Sequence, residues 1–371
     1  MSGWIGWKPS SFDPKVASSR LRCLGPLAEL HSRGYSVELF DRRHVNRYVA
    51  VVYSKIYDDA SYHQAVELQR RGIRIIFDLC DNHFYNPRTL RYWKDARQRL
   101  TRMMALADAL IASTEALAEV MKNELPMQRS IAVIGDPVET ELENCPTPVW
   151  KRWLALRQSA SLLSILRTGQ GRGRTPLVWF GNHGSPYAEG GMLDLQRIRS
   201  LLEELNREHP ISLTVISNSR WKYQRSIKQW AMPTYYLDWH PATFLPLLRA
   251  HVIAVIPVSR NPFTLCKSNN RLALALSQGL AVVADLIPSY RDFAAACYLG
   301  EWESGLHSYL RDPHLRSSHA ALGRTIVRDR WSMPRIADQW QTFFDRFLAR
   351  IQASSQLPDR HGCLESQSSK E

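Results

Sequence analysis

The chain has 371 residues, of which 44% are apolar, and its formal net charge is +13 at pH 7. The length exceeds the usual size of one domain, and the apolar content is sufficient for two buried cores, so we expect two domains. The sequence has no run of about eighteen apolar residues and no signal-peptide pattern at its start, which argues against a membrane-spanning protein and predicts a cytoplasmic one.

The positive charge favours anionic partners, which include nucleic acid, an acidic membrane surface and a phosphorylated substrate. Basic residues are spread through helical stretches without the signature of a common nucleic-acid module, so we consider nucleic acid an unlikely partner. The six cysteines form no CxxC pair and no Cys/His cluster. This spacing argues against a structural zinc site and against a disulfide framework.

The first half of the chain alternates short apolar runs with segments of helical periodicity. We predict strands at 4–7, 35–40, 48–57, 73–81, 107–113 and 130–139. We predict helices at 18–32, 62–71, 89–107 and 114–123. Such alternation is typical of one doubly wound parallel sheet covered by helices.

A change of composition between 141 and 176 separates this series from a second one. We predict further strands at 177–180, 211–218, 234–239, 251–258 and 280–286 and helices at 193–208, 244–250 and 334–352. The predicted domains are 1–145, a linker with a helix at 146–176, a second domain at 177–352 and a disordered polar tail at 353–371. The predicted fold class is α/β, with two Rossmann-like doubly wound parallel sheets facing a cleft.

The segment CKSNNR at 266–271, followed by LALALSQG, predicts a loop that leads into a helix. Ser268 is a suitable N-cap, and it would leave the free backbone N–H groups of the helix in the same space as Lys267 and Arg271. With Asn269 and Asn270, these residues form a candidate phosphate cradle. An ordinary strand crossover with solvated basic residues fits the spacing as well.

Acidic and basic side chains also cluster where the first domain should face the cleft. Asp78, Asp81 and His83 lie at the carboxyl end of a predicted strand, a position that suits binding of an acceptor hydroxyl or proton transfer. A hydrogen-bonded loop cap is an equal alternative. Arg20 and Arg22 either reach the cleft from the opening loop or lie in solvent on the first helix.

The order of these segments resembles a known family. WFGNHGS, SLTVISNS, HVIAVIPVS and KSNNRLALALSQGLAVVADLIPSY resemble the C-terminal donor domain of GT-B glycosyltransferases, in particular the retaining family-4-like group (glycosyltransferase group 1). ASSRLRCLGPLAELHSRGYSVELF, ADALIASTEALAEVM and IAVIGDPVE resemble the N-terminal half of the same group. The resemblance extends over roughly residues 4–345.

The resemblance implies transfer of a sugar from a nucleotide diphosphate sugar to a glycan, lipid-linked or small-molecule acceptor, as in polysaccharide biosynthesis. Retention of configuration is implied, and neither a metal nor another cofactor is expected. Lys267, Arg271 and Asp81 would be the catalytic side chains, with the two cations stabilising the leaving diphosphate. The glycine loop Gly181-Asn182-His183-Gly184 would let the donor phosphates approach the backbone, although a plain tight turn also fits.

The chain departs from the family in one respect. Many members have two glutamates eight residues apart, at positions that are Cys266 and Leu274 here. A non-catalytic GT-B-like protein that binds nucleotide sugars or partners a transferase is therefore an alternative, as is a binder of polyanions. The basic charge also favours peripheral association with the inner face of a membrane. Trp239, at a predicted strand end, is a candidate for stacking on a sugar.

Overall fold

The computed structural model describes residues 3–90, 93–125, 129–139, 146–167, 173–186 and 188–355. The tail predicted to be disordered lies outside the described residues from 356 onward, whereas 353–355 belong to the last helix.

The first sheet is built from six parallel strands, in the order β2-β1-β3-β4-β5-β6. Its strands are β1 (Trp4–Pro9), β2 (Val37–Leu39), β3 (Tyr48–Ser54), β4 (Arg74–Leu79), β5 (Ala109–Ala112) and β6 (Ile131–Val133).

The second sheet also has six parallel strands, in the order β12-β11-β10-β7-β8-β9. Its strands are β7 (Thr175–Phe180), β8 (Ile211–Ser217), β9 (Thr234–Asp238), β10 (Ile253–Ile256), β11 (Ala281–Ala284) and β12 (Tyr298–Leu299). All seven residues of β8 are buried, because helices cover both faces of a parallel sheet. The predicted fold class is confirmed.

Thirteen α-helices occur in the described ranges. They are α1 (Ala17–Ser19), α2 (Gly25–Ser32), α3 (Asp59–Arg70), α4 (Ala96–Leu106), α5 (Glu115–Asn123), α6 (Val149–Arg167), α7 (Arg199–Glu208), α8 (Arg220–Ser226), α9 (Pro241–Leu248), α10 (Asn270–Ser277), α11 (Trp302–Arg311), α12 (Pro313–Arg330) and α13 (Met333–Ser355). Helix α4 begins seven residues later than predicted from its pattern at 89. None of these helices combines the length and the apolar character needed to cross a bilayer.

The last helix packs on the first sheet, although the sequence assigned 334–352 to the second domain. Trp340 and Phe344 of α13 are buried, and their rings lie 4.6 Å and 5.8 Å from that of Trp7 on β1. The chain returns to the first domain just before this helix, where the backbone N–H of Val138 donates to the carbonyl of Trp331 at 2.8 Å. The prediction was wrong here because periodicity shows that a helix has an apolar face, not which sheet that face covers.

Candidate functional site

The loop before α10 lies directly against the carboxyl edge of the first sheet. The side-chain amide of Asn82 donates to the carbonyl of Pro262 at 3.0 Å. The hydroxyl of Thr114 donates to the carbonyl of Cys266, also at 3.0 Å. The predicted cradle segment is therefore positioned by both domains.

Asp81 joins the two domains through an ion pair with two lysines. Its carboxylate contacts Lys267 of the second domain and Lys55, which follows β3 in the first. Burial alone would raise the pKa of Asp81, but the charges of Lys267 and Lys55 outweigh that effect and lower the pKa well below its ordinary value. The carboxylate is thus ionised at neutral pH and neutralises a cation that was predicted to hold phosphate.

His83 lies behind this ion pair in an aromatic environment. Its Nδ1 is 2.8 Å from the hydroxyl of Tyr57, and its ring centroid is 4.6 Å from that of Trp93. Burial, and then the charge of Lys55, lowers the pKa of His83 to about 3. The imidazole is therefore neutral at physiological pH and cannot act there as an acid.

Arg22 and Asp78 form a buried pair, and both side chains are 0% exposed. The guanidinium binds both carboxylate oxygens of Asp78, and it also donates to the carbonyl of Ile134 at 2.5 Å and to Asp136 at 3.2 Å. The hydroxyl of Ser54 donates to Asp78 at 2.6 Å. The expectation that Arg22 and Asp78 contact an acceptor is therefore corrected, because neither reaches the surface of the cleft.

Asp136 extends this network to the second domain. One of its oxygens accepts from Arg22, and the other accepts from the hydroxyl of Ser268 at 2.6 Å. Ser268 does not cap α10 as predicted; the N-cap is Asn269, whose side chain makes no capping hydrogen bond. The hydroxyl of Ser268 is instead directed to Asp136 of the first domain.

Asn269 itself has an unusual environment. It is 1% exposed, and neither its amide nitrogen nor its amide oxygen has a hydrogen-bond partner among the described residues. An unpaired buried amide typically costs about 1–3 kcal/mol. A polar ligand group at the start of α10 would offset this cost, and the next residue, Asn270, opens the helix.

The side chain of Arg271 lies against the glycine loop. Gly181 has φ +148°, and a Cβ atom at this position would lie 3.3 Å from Cδ of Arg271. The glycine therefore leaves room for the arginine side chain to lie against the backbone. Tyr290 also interacts with Arg271, which lies in the first turn of α10.

The remainder of the loop is held by polar contacts with the second domain. The backbone N–H and the Nδ1 atom of His183 both lie 2.9 Å from the side-chain oxygen of Asn218. The ammonium of Lys222 donates to the carbonyl of His183 at 3.0 Å. His183 is thereby fixed in the loop, and its imidazole is used within the domain.

Gly184 is required by the close approach of a second glycine turn. A Cβ atom on Gly184 would lie 2.9 Å from the carbonyl oxygen of Gly190, and Gly184 has φ +133°. Its N–H donates to the side chain of Asn182 at 3.0 Å. Asn182 therefore closes the turn. This structural role agrees with the alternative interpretation of the glycine loop as a plain tight turn.

Arg20 lies at the rim between the domains. It pairs with Glu139, Nε to Oε1 at 2.5 Å, and its guanidinium lies 5.6 Å from the ring centroid of Trp239 in the second domain. The structure thus brings together two residues that the sequence indicated separately, and it places them at one end of the cleft.

Sequence reasoning missed Lys55, Asn82, Thr114 and Asp136. Each of these residues follows a strand of the first sheet, at the edge where the carboxyl ends meet. The register of the sheet pairs Ser54 at the end of β3 with Asp78 near the end of β4, so these strands end side by side. Applying the carboxyl-end rule to β3, β5 and β6 as well as to β4 would have found Lys55, Thr114 and Asp136, whereas Asn82 was overlooked between the β4 candidates Asp81 and His83.

One group of three side chains in the described ranges has the spacing of metal ligands, namely Glu208, His209 and His307. It lies where α7 leads into β8, at the amino end of that strand. This is the opposite edge of the second sheet from the cleft.

Comparison of this chain with known proteins finds similar structures but no similar sequence. Neither a protein-family model nor a curated protein matches the sequence. HepE of Anabaena, solved in complex with UDP, superposes with a TM-score of 0.63 over 92% of this chain and 100% of its own, at 15% identity. TarM, known from S. aureus, gives 0.56 over 80% of this chain and 54% of its own, at 12% identity.

A UDP-forming α,α-trehalose-phosphate synthase from Burkholderia xenovorans gives a TM-score of 0.51, covering 89% of this chain and 83% of its own at 13% identity. HepE has also been solved with UDP-glucose. The chain spans about half the length of TarM and nearly all of HepE. It therefore has the GT-B fold of these glycosyltransferases.

Proposed function

We propose that the chain is a glycosyltransferase that takes a sugar from a nucleotide diphosphate sugar bound in its second domain. The observation that carries this proposal is the convergence of Arg271, the glycine loop at Gly181 and the start of α10 at the carboxyl edge of the second sheet. The unpaired amide of Asn269 at the same place supports a polar ligand. The complexes of HepE with UDP and UDP-glucose support a nucleotide sugar as that ligand.

The proposed chemistry depends on neutralising the leaving diphosphate. Negative charge accumulates on the diphosphate as the bond to the sugar breaks, and preorganised cations at that position lower the barrier. Arg271 and Lys267 would supply this charge together with the free N–H groups of α10. Retention of configuration and independence of metal form part of this proposal.

The ion pair between Lys267 and Asp81 implies an order of events. The ammonium of Lys267 can bind the diphosphate only after it leaves Asp81, with which it is paired here. Loss of this cation removes the principal charge that lowers the pKa of Asp81. The pKa of the carboxylate then rises, and Asp81 becomes available to accept a hydrogen bond from the hydroxyl of a glycan, lipid-linked or small-molecule acceptor.

A second candidate function is supported by Cys266 and Leu274. Both side chains are buried, and burial raises the pKa of the Cys266 thiol to about 11, so neither offers a polar group to the donor. Such a site suits a protein that binds a nucleotide sugar without transferring it. The two functions differ in turnover, not in donor binding.

The test is a calorimetric titration of the full chain with UDP, GDP and CMP and with their sugar conjugates, followed by assays of sugar release. Arg271→Ala should weaken binding of the preferred nucleotide by roughly tenfold or more, because a charge-assisted hydrogen bond contributes about 1.5–3 kcal/mol. The matched control is Arg335→Ala, an exposed arginine on α13. Equal affinities for the native protein and Arg271→Ala would contradict the proposed donor site, whereas tight binding without sugar release would favour the second function.

A further inference from the structure

The first half of α6 projects from the body of the protein. From Val149 to Arg157, every residue except Ala155 is exposed. The second half is anchored, since Leu162 is buried in the core of the second domain and Leu163 and Leu166 pack against that core. The helix therefore presents its first two turns to the surroundings.

These two turns carry an apolar face that no described residue covers. The exposed fractions of the large apolar side chains are 84% for Val149, 63% for Trp150, 60% for Trp153, 41% for Leu154 and 48% for Leu156. At about 100° per residue, these five side chains occupy an arc of roughly 160° on one side of the helix. A contiguous exposed apolar patch of this kind marks a binding surface.

The anchoring residues lie on the other side of the helix. On the same helical projection, Leu162, Leu163 and Leu166 are centred roughly 150° away from the exposed arc. The helix thus has two apolar faces, of which the domain core uses only one. Packing against the described residues of the second domain does not account for the apolar character of the exposed face.

Basic residues border the exposed face. Lys151 and Arg152 lie outside the apolar arc, and α6 contains no acidic residue. The ammonium of Lys151 lies 5.3 Å from the ring centroid of Trp150, and the guanidinium of Arg157 lies 5.5 Å from that of Trp153. Tryptophan beside lysine or arginine is typical of helices that lie at the boundary between lipid headgroups and acyl chains.

A loop of the first domain adds to this surface. Phe12 and Val16 are 59% and 37% exposed, and Lys15 lies between them in the chain. The guanidinium of Arg20 donates to the carbonyl of Pro14 in this loop at 2.7 Å and lies 5.6 Å from the ring centroid of Trp239, which directly precedes the N-cap of α9, His240. Because α6 packs against α9, the loop lies near α6.

We propose that Phe12, Val16 and the exposed face of α6 form a docking surface for an anionic lipid membrane. The apolar side chains would enter the interfacial region, and Lys15, Lys151 and Arg152 would contact lipid phosphates, in line with the net charge of +13. A lipid surface fits better than a protein groove, because the patch mixes aromatic and basic residues and α6 offers no carboxylate for a complementary protein. This inference does not depend on the chemistry of the donor site.

The test is co-sedimentation of the full chain with vesicles of phosphatidylcholine alone and of phosphatidylcholine with 30% phosphatidylglycerol, a composition chosen as roughly that of an anionic leaflet. The native chain should pellet with the anionic vesicles. Lys151→Gln/Arg152→Gln should weaken this binding by roughly 25-fold, since each cation near such a surface contributes about fivefold. Trp150→Ala/Trp153→Ala should weaken it by about tenfold or more.

The matched control is Leu322→Ala on α12, which packs near β11, away from the β9 edge that α6 covers. Leu322 is 42% exposed, close to the 41% of Leu154, and its variant should bind vesicles like the native chain.

Unchanged melting temperatures would show that the α6 variants are folded. The proposal is overturned if the native chain does not pellet with anionic vesicles, or if the α6 variants bind these vesicles as strongly as the native chain does. It is also overturned if the native chain is a dimer without lipid and Trp150→Ala/Trp153→Ala is a monomer, because the face would then be an interface between copies. UDP titrations of the same variants keep this result separate from donor binding.

Discussion

Replacing one partner of the buried pair between Arg22 and Asp78 should destabilise the first domain strongly. In Asp78→Asn, an amide with one acceptor oxygen replaces a carboxylate that accepts two hydrogen bonds from Arg22 and one from Ser54. Arg22 is 0% exposed, so water cannot compensate. Removing one member of a buried pair costs about 3–5 kcal/mol, and because Asp136 remains near Arg22, we expect about 3 kcal/mol.

For a domain of this size, that loss corresponds to a decrease in Tm of about 6–12 °C. Differential scanning calorimetry of the full chain measures it, with Arg97→Gln as control. Arg97 pairs with Glu124 in the same domain but is 69% exposed, and such a pair contributes only about 0–1 kcal/mol. If Asp78→Asn melted no lower than Arg97→Gln, the argument from burial would be refuted.

A triple variant separates the loss of the pair from the penalty of a buried unpaired charge. Because Asp136 also pairs with Arg22, Arg22→Met/Asp78→Leu/Asp136→Asn removes all three charges and replaces the pair with apolar groups of similar volume. Replacing buried charges in this way is often neutral, so the triple variant should melt closer to the native protein than Asp78→Asn does.

Three further predictions concern the cleft. Asp81→Asn frees Lys267, so the preferred nucleotide should bind roughly tenfold more tightly in a titration, and weaker binding would contradict the competition between carboxylate and phosphate. Acidification from pH 7 to pH 5 should destabilise the fold, because unfolded His83 takes up a proton near its ordinary pKa of 6.5 whereas folded His83 does so only near 3. His83→Gln should reduce the resulting loss of stability by about 2 kcal/mol over this pH range, measured by urea unfolding at each pH. Gly181→Ala places a methyl group 3.3 Å from Cδ of Arg271 at φ +148°, so nucleotide affinity should fall, and an unchanged value would show that the arginine does not need the glycine.

The sequence predicts those features that depend on local pattern. The buried strand β3 is an almost continuous apolar run, because both of its faces are covered, and the glycine loop at Gly181 follows β7. The position of Arg271 beside Gly181 follows from the rule that carboxyl ends of parallel strands share an edge. These signals were sufficient for the fold class.

Pairings between distant segments could not be predicted in this way. Arg22 meets Asp78 across 56 residues, and Ser268 meets Asp136 across 132 residues. A charged residue in an amphipathic helix ordinarily faces solvent, so the pattern gave no indication that Arg22 is buried. The partner of Lys267 was missed for the same reason, since only the assembled domains bring Asp81 to it.

The return of the chain to the first domain before α13 determines how the two domains can move. The polypeptide crosses between them twice, and the crossings lie side by side, where Val138 bonds to the backbone of Trp331 and forms a parallel bridge with Ser332. Two crossings joined by a backbone hydrogen bond would restrict the relative motion of the domains more than a single linker would. In any such motion α13 would travel as part of the first domain.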